Sequence, residues 1–255
     1  MKFENQTILI TGASTGIGKA ISQKLLKKSC NLVLIARRDS LINDYINEAA
    51  NSAAKVKIIK CDVSNKNEVE DAYNLAISAF SKIDIAILNS GVGFNITPDT
   101  FNSKYAEETM NINFMGVVYW IEKILPEMMK GKEGIIAPVS SLADNRGYSG
   151  SGFYCASKAA LSTFSEGLSI DLRKYGIKVI TIKPGFVKTP MTDKNKFKMP
   201  FLISAEKSAD IIIKGIEKEK NIIQFPFPTV LGSKFIGLLP NWFYKMIASK
   251  EIMNG

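Results

Sequence analysis

The stretch QTILITGASTGIG, residues 6–18, decides the fold, because a short β-branched run leads directly into a loop with three glycines. These are Gly12, Gly16 and Gly18, and a helical pattern over Ile17–Lys28 follows them. Glycines let a backbone turn tightly and approach a phosphate, while the N-terminus of the next helix supplies free N–H groups and a positive dipole. The spacing therefore predicts a pyrophosphate-binding turn, with a plain strand-to-helix turn as the alternative.

The alternation of strand and helix continues along the whole chain. Apolar runs predict seven strands: Gln6–Ile10, Asn31–Ala36, Lys55–Lys60, Ile83–Leu88, Gly134–Val139, Lys178–Lys183 and Asn221–Phe225. Helical periodicity predicts five helices: Ile17–Lys28, Glu68–Phe80, Ser103–Lys130, Gly152–Tyr175 and Ser204–Lys218. Strands that are apolar at nearly every position are typical of sheets covered on both faces. We predict an α/β fold, a Rossmann-type doubly wound parallel sheet of seven strands, in one domain spanning residues 1–255.

The composition excludes several kinds of catalytic site. The 255 residues contain no histidine, which excludes a Ser-His-Asp triad, a Cys-His pair and an H-E-x-x-H zinc site. The three cysteines are far apart, give no metal-ligand spacing and suit a reducing cytosol. We therefore predict a cytoplasmic protein with no metal site, whose acid–base chemistry comes from Tyr, Lys, Asp or Glu.

The charge and the hydropathy pattern limit the kinds of partner that we predict for this chain. The formal net charge is +9, but basic residues are spread along the chain without a recognition motif, so we predict no nucleic-acid partner. A basic protein also attracts phosphorylated cofactors. No uncharged apolar stretch approaches the length of about 18 residues that a transmembrane helix needs, and the N-terminus does not resemble a signal peptide.

The end of the second predicted strand reads Ala36-Arg37-Arg38. An NAD-binding protein normally places an acid near here, to bind the ribose hydroxyls. Arginine instead suits a phosphate, because its guanidinium donates two parallel hydrogen bonds. The pair favours NADP(H) over NAD, with a solvated basic turn as the alternative.

The segment Tyr154-Cys155-Ala156-Ser157-Lys158 places a tyrosine and a lysine four residues apart. On a helix, Tyr154 and Lys158 then point the same way. A nearby ammonium stabilises a phenolate and lowers the tyrosine pKa, so that the pair can exchange protons without histidine. A tyrosine and a lysine at this spacing are frequent by chance. The pair is evidence of a catalytic site only together with the other motifs of the chain.

With these motifs in order, the chain resembles the short-chain dehydrogenase/reductase family over residues 5 to about 225. The loop matches TGxxxGIG, Asp62-Val63 matches the pair that contacts adenine, and Leu88-Asn89-Ser90-Gly91 stands where Asn-Asn-Ala-Gly is usual. Asn113 matches the catalytic asparagine, and Ser141, 13 residues before Tyr154, matches the catalytic serine. The segment with Pro184, Gly185, Val187 and Thr189 matches the one that holds the nicotinamide carboxamide.

The resemblance implies a role for each matched residue. Ser141 hydrogen-bonds the substrate oxygen, Tyr154 gives or takes its proton, Lys158 lowers the tyrosine pKa and binds the ribose, and Asn113 holds a water in a proton relay. Ser14 and Arg37 would contact the 2′-phosphate of NADP(H). The residues expected to bind the cofactor are Gly12, Ser14, Gly16, Ile17, Gly18, Arg37, Arg38, Asp62, Val63, Asn89, Gly91, Tyr154, Lys158, Pro184, Gly185, Val187 and Thr189.

Two positions depart from the family pattern. Leu88 replaces an asparagine, which removes one side-chain hydrogen bond but touches no catalytic position. Thr15 stands where many NADP-preferring members carry a basic residue, so the cofactor prediction depends mainly on Arg37 and Arg38. The family also implies a homo-dimer or homo-tetramer built on Ser103–Lys130 and Gly152–Tyr175.

Substrate choice is expected from two regions. The loop between Pro190 and Leu202 carries Lys194, Lys196 and Lys198, follows Lys188, and would suit an acidic carrier protein. Lys132 stands where carrier-protein reductases have a basic docking residue, but Tyr175 occupies the second such position. The apolar tail, residues 226–255, is expected to pack on its own domain, on a partner subunit or on a membrane surface, and to line part of a pocket for an apolar substrate.

The leading prediction is an NADP(H)-dependent oxidoreductase that moves a hydride between the nicotinamide and a carbonyl or alcohol carbon of a small-molecule substrate. A 3-oxoacyl-(acyl-carrier-protein) reductase and a cofactor-binding sensor with little turnover are alternatives. Nucleotide-sugar epimerases and dehydratases also use Tyr-x-x-x-Lys, but they usually have G-x-x-G-x-x-G and longer chains.

Overall fold

The computed structural model describes residues 3–49, 52–195 and 198–253, with side chains described up to residue 248. Six parallel strands form the main sheet in the order β3-β2-β1-β4-β5-β6, and β7 and β8 form a second parallel pair. The strands are β1 (Thr7–Thr11), β2 (Asn31–Ala36), β3 (Lys55–Lys60), β4 (Ile85–Leu88), β5 (Gly134–Pro138), β6 (Ile177–Val179), β7 (Thr181–Pro184) and β8 (Ile222–Phe225).

Helices connect these strands and cover both faces of the sheet, which confirms the predicted α/β Rossmann-type class. They are α1 (Gly16–Leu25), α2 (Ser40–Asn47), α3 (Lys66–Phe80), α4 (Ser103–Met110), α5 (Gly116–Gly131), α6 (Gly152–Asp171), α7 (Ala205–Glu217), α8 (Phe227–Leu238) and α9 (Asn241–Met253). One apolar layer packs α1, α2 and α7 on the sheet, around Ile21, Tyr45 and Ile212. The opposite layer packs α3, α5 and α6, around Val69, Trp120 and Leu161.

The predicted seven-stranded sheet differs from the structure in strand count, because the predicted strand Lys178–Lys183 changes partners. Its first half, β6, pairs with β5, whereas its second half, β7, pairs with β8. A single bridge between Val139 and Ile182 joins the two sheets. Apolar periodicity is the same on either side of Ile180, so it does not reveal which strand each half pairs with.

Two helices also depart from the sequence prediction. The short helix α2 was not predicted, and its only buried residues are Ile42 and Tyr45. The predicted helix Ser103–Lys130 is not continuous, because one π-helical turn, Asn111–Met115, separates α4 from α5. Wider turns of this kind are often found at functional sites, and this one carries Asn113.

The tail forms α8 and α9, with Pro240 between them. Residues 254–255 of the predicted tail, and the side chain of Lys250, lie outside the described residues, as does Lys196 of the basic loop. Across the residues that are described, no helix is long and apolar enough to cross a membrane.

Candidate active site

A cleft lies at the carboxyl ends of the strands, where β1 and β4 are neighbours although the chain continues from β1 to β2. In a doubly wound sheet, the loops after two such strands leave in opposite directions and open a crevice for a ligand. Of the predicted site residues, all but Gly18 and Asn113 line this cleft. The fold thus brings together residues that are up to 177 positions apart, from Gly12 to Thr189.

The glycine loop needs its glycines for backbone conformation and for space. Gly12 and Gly16 have φ angles of +66° and +58°, which side chains of L residues rarely adopt. A Cβ atom on Gly18 would lie 2.3 Å from the Gly12 carbonyl oxygen, so Gly18 allows α1 to pack closely against the loop. Gly18 therefore supports the loop through the close packing of α1 and does not line the cleft.

Asn89 and Thr11 fix the loop to the end of β4. The Asn89 Nδ2 donates to the carbonyl oxygens of Thr11 and Gly12, at 3.1 Å and 3.3 Å. The Thr11 hydroxyl oxygen accepts from the backbone N–H groups of Asn89 and Ser90, at 2.9 Å and 3.0 Å. The Asn89 side chain therefore holds the phosphate loop in shape, while the preceding Leu88 is buried at the end of β4 and needs no polar partner.

The N-terminus of α1 has the chemistry of an anion site. Thr15 makes no side-chain cap with the described residues, and no acidic residue lies in the first turn. Uncapped N–H groups and the helix dipole together favour a negatively charged group, and Ser14 and Thr15 line the cleft beside them. The loop and the helix thus fit the pyrophosphate of a dinucleotide.

The far end of the cleft combines two arginines with one carboxylate. Arg37 Nη1 lies 3.5 Å from Asp62 Oδ2, and Arg38 lines the same end. Burial opposes ionisation of Asp62, but hydrogen bonds from Ser64 and the charge of Arg37 outweigh it and hold the carboxyl pKa below its usual value. Asp62 stays charged, and Arg37 and Arg38 remain on the surface side of the cleft, where a phosphate has access to them.

The catalytic candidates Ser141, Tyr154 and Lys158 meet in the middle of the cleft. Ser141 begins the segment after β5, whereas Tyr154 and Lys158 lie on the first turns of α6. The Lys158 ammonium donates to the Val139 carbonyl oxygen at 2.7 Å and lies 5.8 Å from the centre of the Tyr154 ring. A carbonyl group held between Ser141 and Tyr154 would meet two hydroxyl donors.

Burial dominates the ionisation of both groups on α6. Burial lowers the pKa of Lys158 to about 8. Burial also raises the pKa of the Tyr154 hydroxyl; a hydrogen bond with Ser141 opposes the rise, and the nearby Cys155 and Asp144 add to it. Burial is thus the largest influence on the Tyr154 pKa in this cleft, and the lowering of that pKa by Lys158 stays a prediction.

Asn113 lies behind the cleft and is completely buried. Its Oδ1 accepts from the Val92 N–H at 2.8 Å, and its Nδ2 donates to the Val92 carbonyl oxygen and to Ser157 Oγ, each at 2.9 Å. The side chain thus ties the π-helical turn to the loop after β4 and to α6. The water relay implied by the resemblance stays a prediction.

A buried polar chain supports α6 from the other side. Ser140 Oγ donates to the Lys158 carbonyl oxygen at 2.9 Å and lies 2.8 Å from Ser162 Oγ. Ser162 donates to Asp144, whose carboxylate pairs with Lys183 at 2.7 Å. The sequence did not indicate this chain, because its two serines and its ion pair come from three separate segments and share no local pattern.

The segment after β7 closes the cleft near Tyr154. Gly185 N–H donates to the Phe225 carbonyl oxygen at 2.7 Å, and Thr192 Oγ1 donates to the Val187 carbonyl oxygen at 2.7 Å. Besides the predicted residues, this part of the cleft has lining residues that the motifs did not indicate: Ser90, Val92, Ile112, Val139, Ser140, Pro190, Met191 and Thr192. The wall beside the catalytic groups therefore mixes apolar side chains, such as Val92 and Met191, with hydroxyl groups.

No described side chain of the tail lines this cleft, contrary to the sequence expectation. It lies against the segment between Ser141 and Tyr154 instead. Ser233 Oγ donates to the Leu142 carbonyl oxygen at 3.0 Å, and Tyr244 Oη donates to the Gly147 carbonyl oxygen at 2.7 Å. Contact with the pocket is thus indirect, through the segment that carries Ser141.

Comparisons with known proteins show the family to which this chain belongs. The model of a family described as short chain dehydrogenase matches residues 6–199. An uncharacterized oxidoreductase of Myxococcus xanthus is 30% identical over 245 residues, which are 96% of this chain and 97% of that protein. A 3-ketodihydrosphingosine reductase of Bacteroides thetaiotaomicron is 34% identical over 188 residues, 74% of this chain and 66% of that protein.

Solved structures share the fold at low identity. A short chain dehydrogenase/reductase from Burkholderia phymatum in complex with NAD has a TM-score of 0.83 at 23% identity, covering 91% of this chain and 92% of that one. An alcohol dehydrogenase from Thermococcus sibiricus, complexed with 5-hydroxy-NADP, has a TM-score of 0.78 at 21% identity, covering 87% and 95%. The names of these two proteins give different cofactors, and at this identity the likeness shows the fold alone.

Proposed function

Because the chain belongs to the short-chain dehydrogenase/reductase family, we propose that it is an NADP(H)-dependent oxidoreductase acting on a carbonyl or alcohol carbon. The meeting of Ser141, Tyr154 and Lys158 in the same cleft as the glycine loop carries this proposal. When bound, the nicotinamide supplies or accepts the hydride. The protein supplies the proton and the orientation of the substrate.

In the direction of reduction, Ser141 donates a hydrogen bond to the carbonyl oxygen of the substrate and Tyr154 gives that oxygen its proton. The hydride adds to the carbon as the proton reaches the oxygen, so that a ketone or aldehyde becomes an alcohol. Burial raises the pKa of Tyr154, so the hydroxyl is protonated at neutral pH and ready to donate.

Lys158 has two roles in this proposal. With a pKa of about 8, its ammonium remains mostly protonated at neutral pH, and it is held by the Val139 carbonyl oxygen. It therefore places positive charge beside a phenolate that forms when Tyr154 loses its proton. Its remaining N–H groups are available for the ribose hydroxyls of the cofactor.

The preference for NADP(H) is supported by charge at the far end of the cleft. Arg37 and Arg38 line it, and the end of β2 carries no carboxylate that would repel a 2′-phosphate. The Arg37–Asp62 contact of 3.5 Å is long and partly exposed, so a phosphate can compete for the guanidinium. Ser14 is buried in the loop, at a position suited to a hydrogen bond with the same phosphate.

We further propose that the substrate is a ketone on an apolar chain. The walls near Tyr154 include Val92, Val187 and Met191. One relative has the name 3-ketodihydrosphingosine reductase, which is that of an enzyme reducing a ketone. A homo-dimer or homo-tetramer remains part of the proposal, through the exposed faces of α5 and α6.

The decisive experiment follows NADPH fluorescence during incubation with long-chain ketones, small aldehydes and 3-oxoacyl thioesters of an acyl-carrier protein. We expect turnover with apolar ketones, lost in Tyr154→Phe. Turnover restricted to the carrier-protein thioesters would identify the protein as a 3-oxoacyl-(acyl-carrier-protein) reductase. The basic loop between Pro190 and Leu202 would then be the docking site for the carrier protein. NADPH binding without turnover on any substrate would favour the sensor.

A further inference from the structure

An apolar surface runs along the outer side of α8 and α9. We call it the tail face and define it by Phe227, Leu231, Phe235, Leu238, Trp242 and Met246. The side chains of Phe227, Leu238 and Trp242 are 77%, 85% and 70% exposed. On α8, the four members follow at intervals of three or four residues, so they share one side of the helix. Contiguous apolar surface of this kind on a water-soluble domain marks an interaction site.

The opposite side of the tail is firmly attached to the protein. Arg146 donates hydrogen bonds to the carbonyl oxygens of Ile236, Gly237 and Leu239 and to Asn241 Oδ1. Asn145 Nδ2 donates to the Ser233 carbonyl oxygen at 2.6 Å. Because these contacts fix the inner side, the tail face points away from the body, and the tail has no need to rearrange before binding.

The charges around the tail face select its partner. The tail, residues 226–255, contains three lysines, one glutamate (Glu251), and no aspartate or arginine. Lys234 and Lys245 are exposed on the same two helices as the tail face. A second copy of this surface would bring the exposed Lys234 and Lys245 against the same two lysines, whereas a layer of anionic lipid headgroups complements them. Aromatic and aliphatic side chains bordered by lysine are what the interface of an anionic bilayer accommodates.

We propose that the tail face docks on the surface of an anionic phospholipid bilayer. Phe227, Phe235 and Trp242 enter the boundary between headgroups and acyl chains, and Lys234 and Lys245 contact the phosphates. The helices lie along the surface rather than crossing it, in keeping with the length and hydropathy of the described helices.

Docking would bring the cleft close to the lipid. Thr229 of α8 is close to Gly185, because a Cβ on that glycine would lie 3.0 Å from Thr229 Cγ2, and Gly185 lines the cleft. Ser233 contacts Leu142, the residue after Ser141. A substrate dissolved in the bilayer would then have a short path to Tyr154. This consequence rests on the proposed function, whereas the docking itself does not.

The test is co-sedimentation of the full-length protein with vesicles, with no substrate or cofactor present. We expect binding to vesicles of about one-third phosphatidylglycerol in phosphatidylcholine, weakening as salt rises from about 0.1 M to about 0.5 M, and little binding to pure phosphatidylcholine. The double variant Phe235→Ser/Trp242→Ser should bind at least about tenfold more weakly. Both side chains are exposed, so circular dichroism should stay unchanged.

Matched controls separate this surface from general hydrophobicity and charge. Phe101→Ser/Ile170→Ser removes two equally exposed apolar side chains elsewhere and should leave binding unchanged. Lys234→Glu/Lys245→Glu should weaken binding, whereas Lys27→Glu/Lys207→Glu, with the same change of net charge on two exposed lysines outside the tail, should weaken it less.

Two outcomes would overturn the proposal. One is wild-type protein that stays in the supernatant with anionic vesicles, or a tail-face variant that sediments as wild type does. The other is a wild-type dimer that becomes a monomer in Phe235→Ser/Trp242→Ser, since a second copy would then cover the tail face. Neither readout depends on turnover, so a failure here leaves the proposed reaction standing.

Discussion

Tyr154 holds the proton that the proposed reaction moves, and its surroundings keep the hydroxyl protonated. In Tyr154→Phe, only a hydroxyl is lost, so we expect the fold and the affinity for NADPH to be retained. Turnover should fall by about 10²–10⁴-fold, the usual contribution of a positioned general acid. Steady-state kinetics and NADPH fluorescence titration check both expectations, and near-normal turnover in this variant would show that another group supplies the proton.

Lys158 makes the stability of the cofactor-free protein depend on pH. Its folded pKa is about 8, below the value of about 10.4 in an unfolded chain. Between these values the unfolded chain binds more protons than the native protein, so the contribution of Lys158 to stability rises with pH. Relative to Lys158→Met, the wild type should therefore gain about 2 kcal/mol between pH 8 and pH 10, on the order of the shift in pKa.

Denaturant unfolding of both proteins at several pH values measures this gain. Below about pH 7 the difference between wild type and Lys158→Met should be constant, because both the native and the unfolded states then hold the proton. A difference that stays flat up to pH 10 would mean that burial does not depress the lysine pKa.

Arg37 and Arg38 determine the cofactor in the proposed function. Replacing both with Gln should reduce kcat/KM for NADPH at least about tenfold while changing kcat/KM for NADH little, because a charge-assisted contact with the 2′-phosphate is lost. The control Arg173→Gln, on an exposed arginine after α6, should change neither value. Equal losses with the two cofactors would show that these arginines do not read the phosphate.

At the same scale, the sequence predicted residues correctly where a backbone conformation requires one residue type. Gly12 and Gly16 were identified from spacing alone, and both adopt the positive φ angles for which glycine is suited. It could not give the burial of Tyr154 and Lys158, which raises the pKa of one and lowers that of the other, because burial is set by residues far away in sequence. The sequence likewise could not predict the hydrogen bonds of the Asn113 side chain, because Val92 and Ser157 become its neighbours only in the folded chain.

At the scale of elements, the Asp144–Lys183 pair connects the segment after β5 to β7 beneath the catalytic helix. The two side chains are 8% and 19% exposed. Asp144→Asn should destabilise the protein by about 3 kcal/mol, because it leaves an ammonium buried without its partner. The double variant Asp144→Asn/Lys183→Met should recover much of this loss, since no unpaired charge remains.

Guanidinium unfolding of the single and double variants measures the coupling. As a control, Glu122→Gln breaks the exposed ion pair with Lys66 and should cost less than about 1 kcal/mol. A loss in Asp144→Asn no larger than that control would mean that water or rearrangement compensates for the missing carboxylate.

Whether a segment forms a strand or a helix was easier to predict than which strands pair with each other. The strands β1, β2 and β4 are apolar at nearly every position, so their type and central place followed from the sequence. The change of partner at Ile180 did not, because β6 and β7 have the same apolar pattern and differ only in which strand lies beside them. The helix α2 was missed because a helix of eight residues with two buried side chains gives a weak periodic signal.

At the scale of the whole molecule, hydrogen bonds connect the tail to the catalytic segment, which is the stretch between Ser141 and Tyr154. Arg146 lies between Ser141 and Tyr154 and donates to four oxygen atoms at the junction of α8 and α9. Its guanidinium also lies 5.2 Å from the centre of the Tyr244 ring. The sequence indicated that the tail must be covered, but not that one arginine would hold it against the segment that carries the catalytic serine.

Arg146→Met should therefore loosen the tail and the catalytic segment together. Each hydrogen bond from a charged donor contributes about 1.5–3 kcal/mol, so losing four should raise amide hydrogen exchange throughout α8. Turnover should fall about tenfold on long and short substrates alike, because Ser141 is less well held, whereas the Kd for NADPH should not change. The matched control is Arg173→Met, on an exposed arginine distant from the tail in sequence, which should leave exchange and turnover as in wild type. A loss confined to long-chain substrates would instead mean that the tail contacts the substrate directly, which is the role that the sequence suggested and the described cleft does not show.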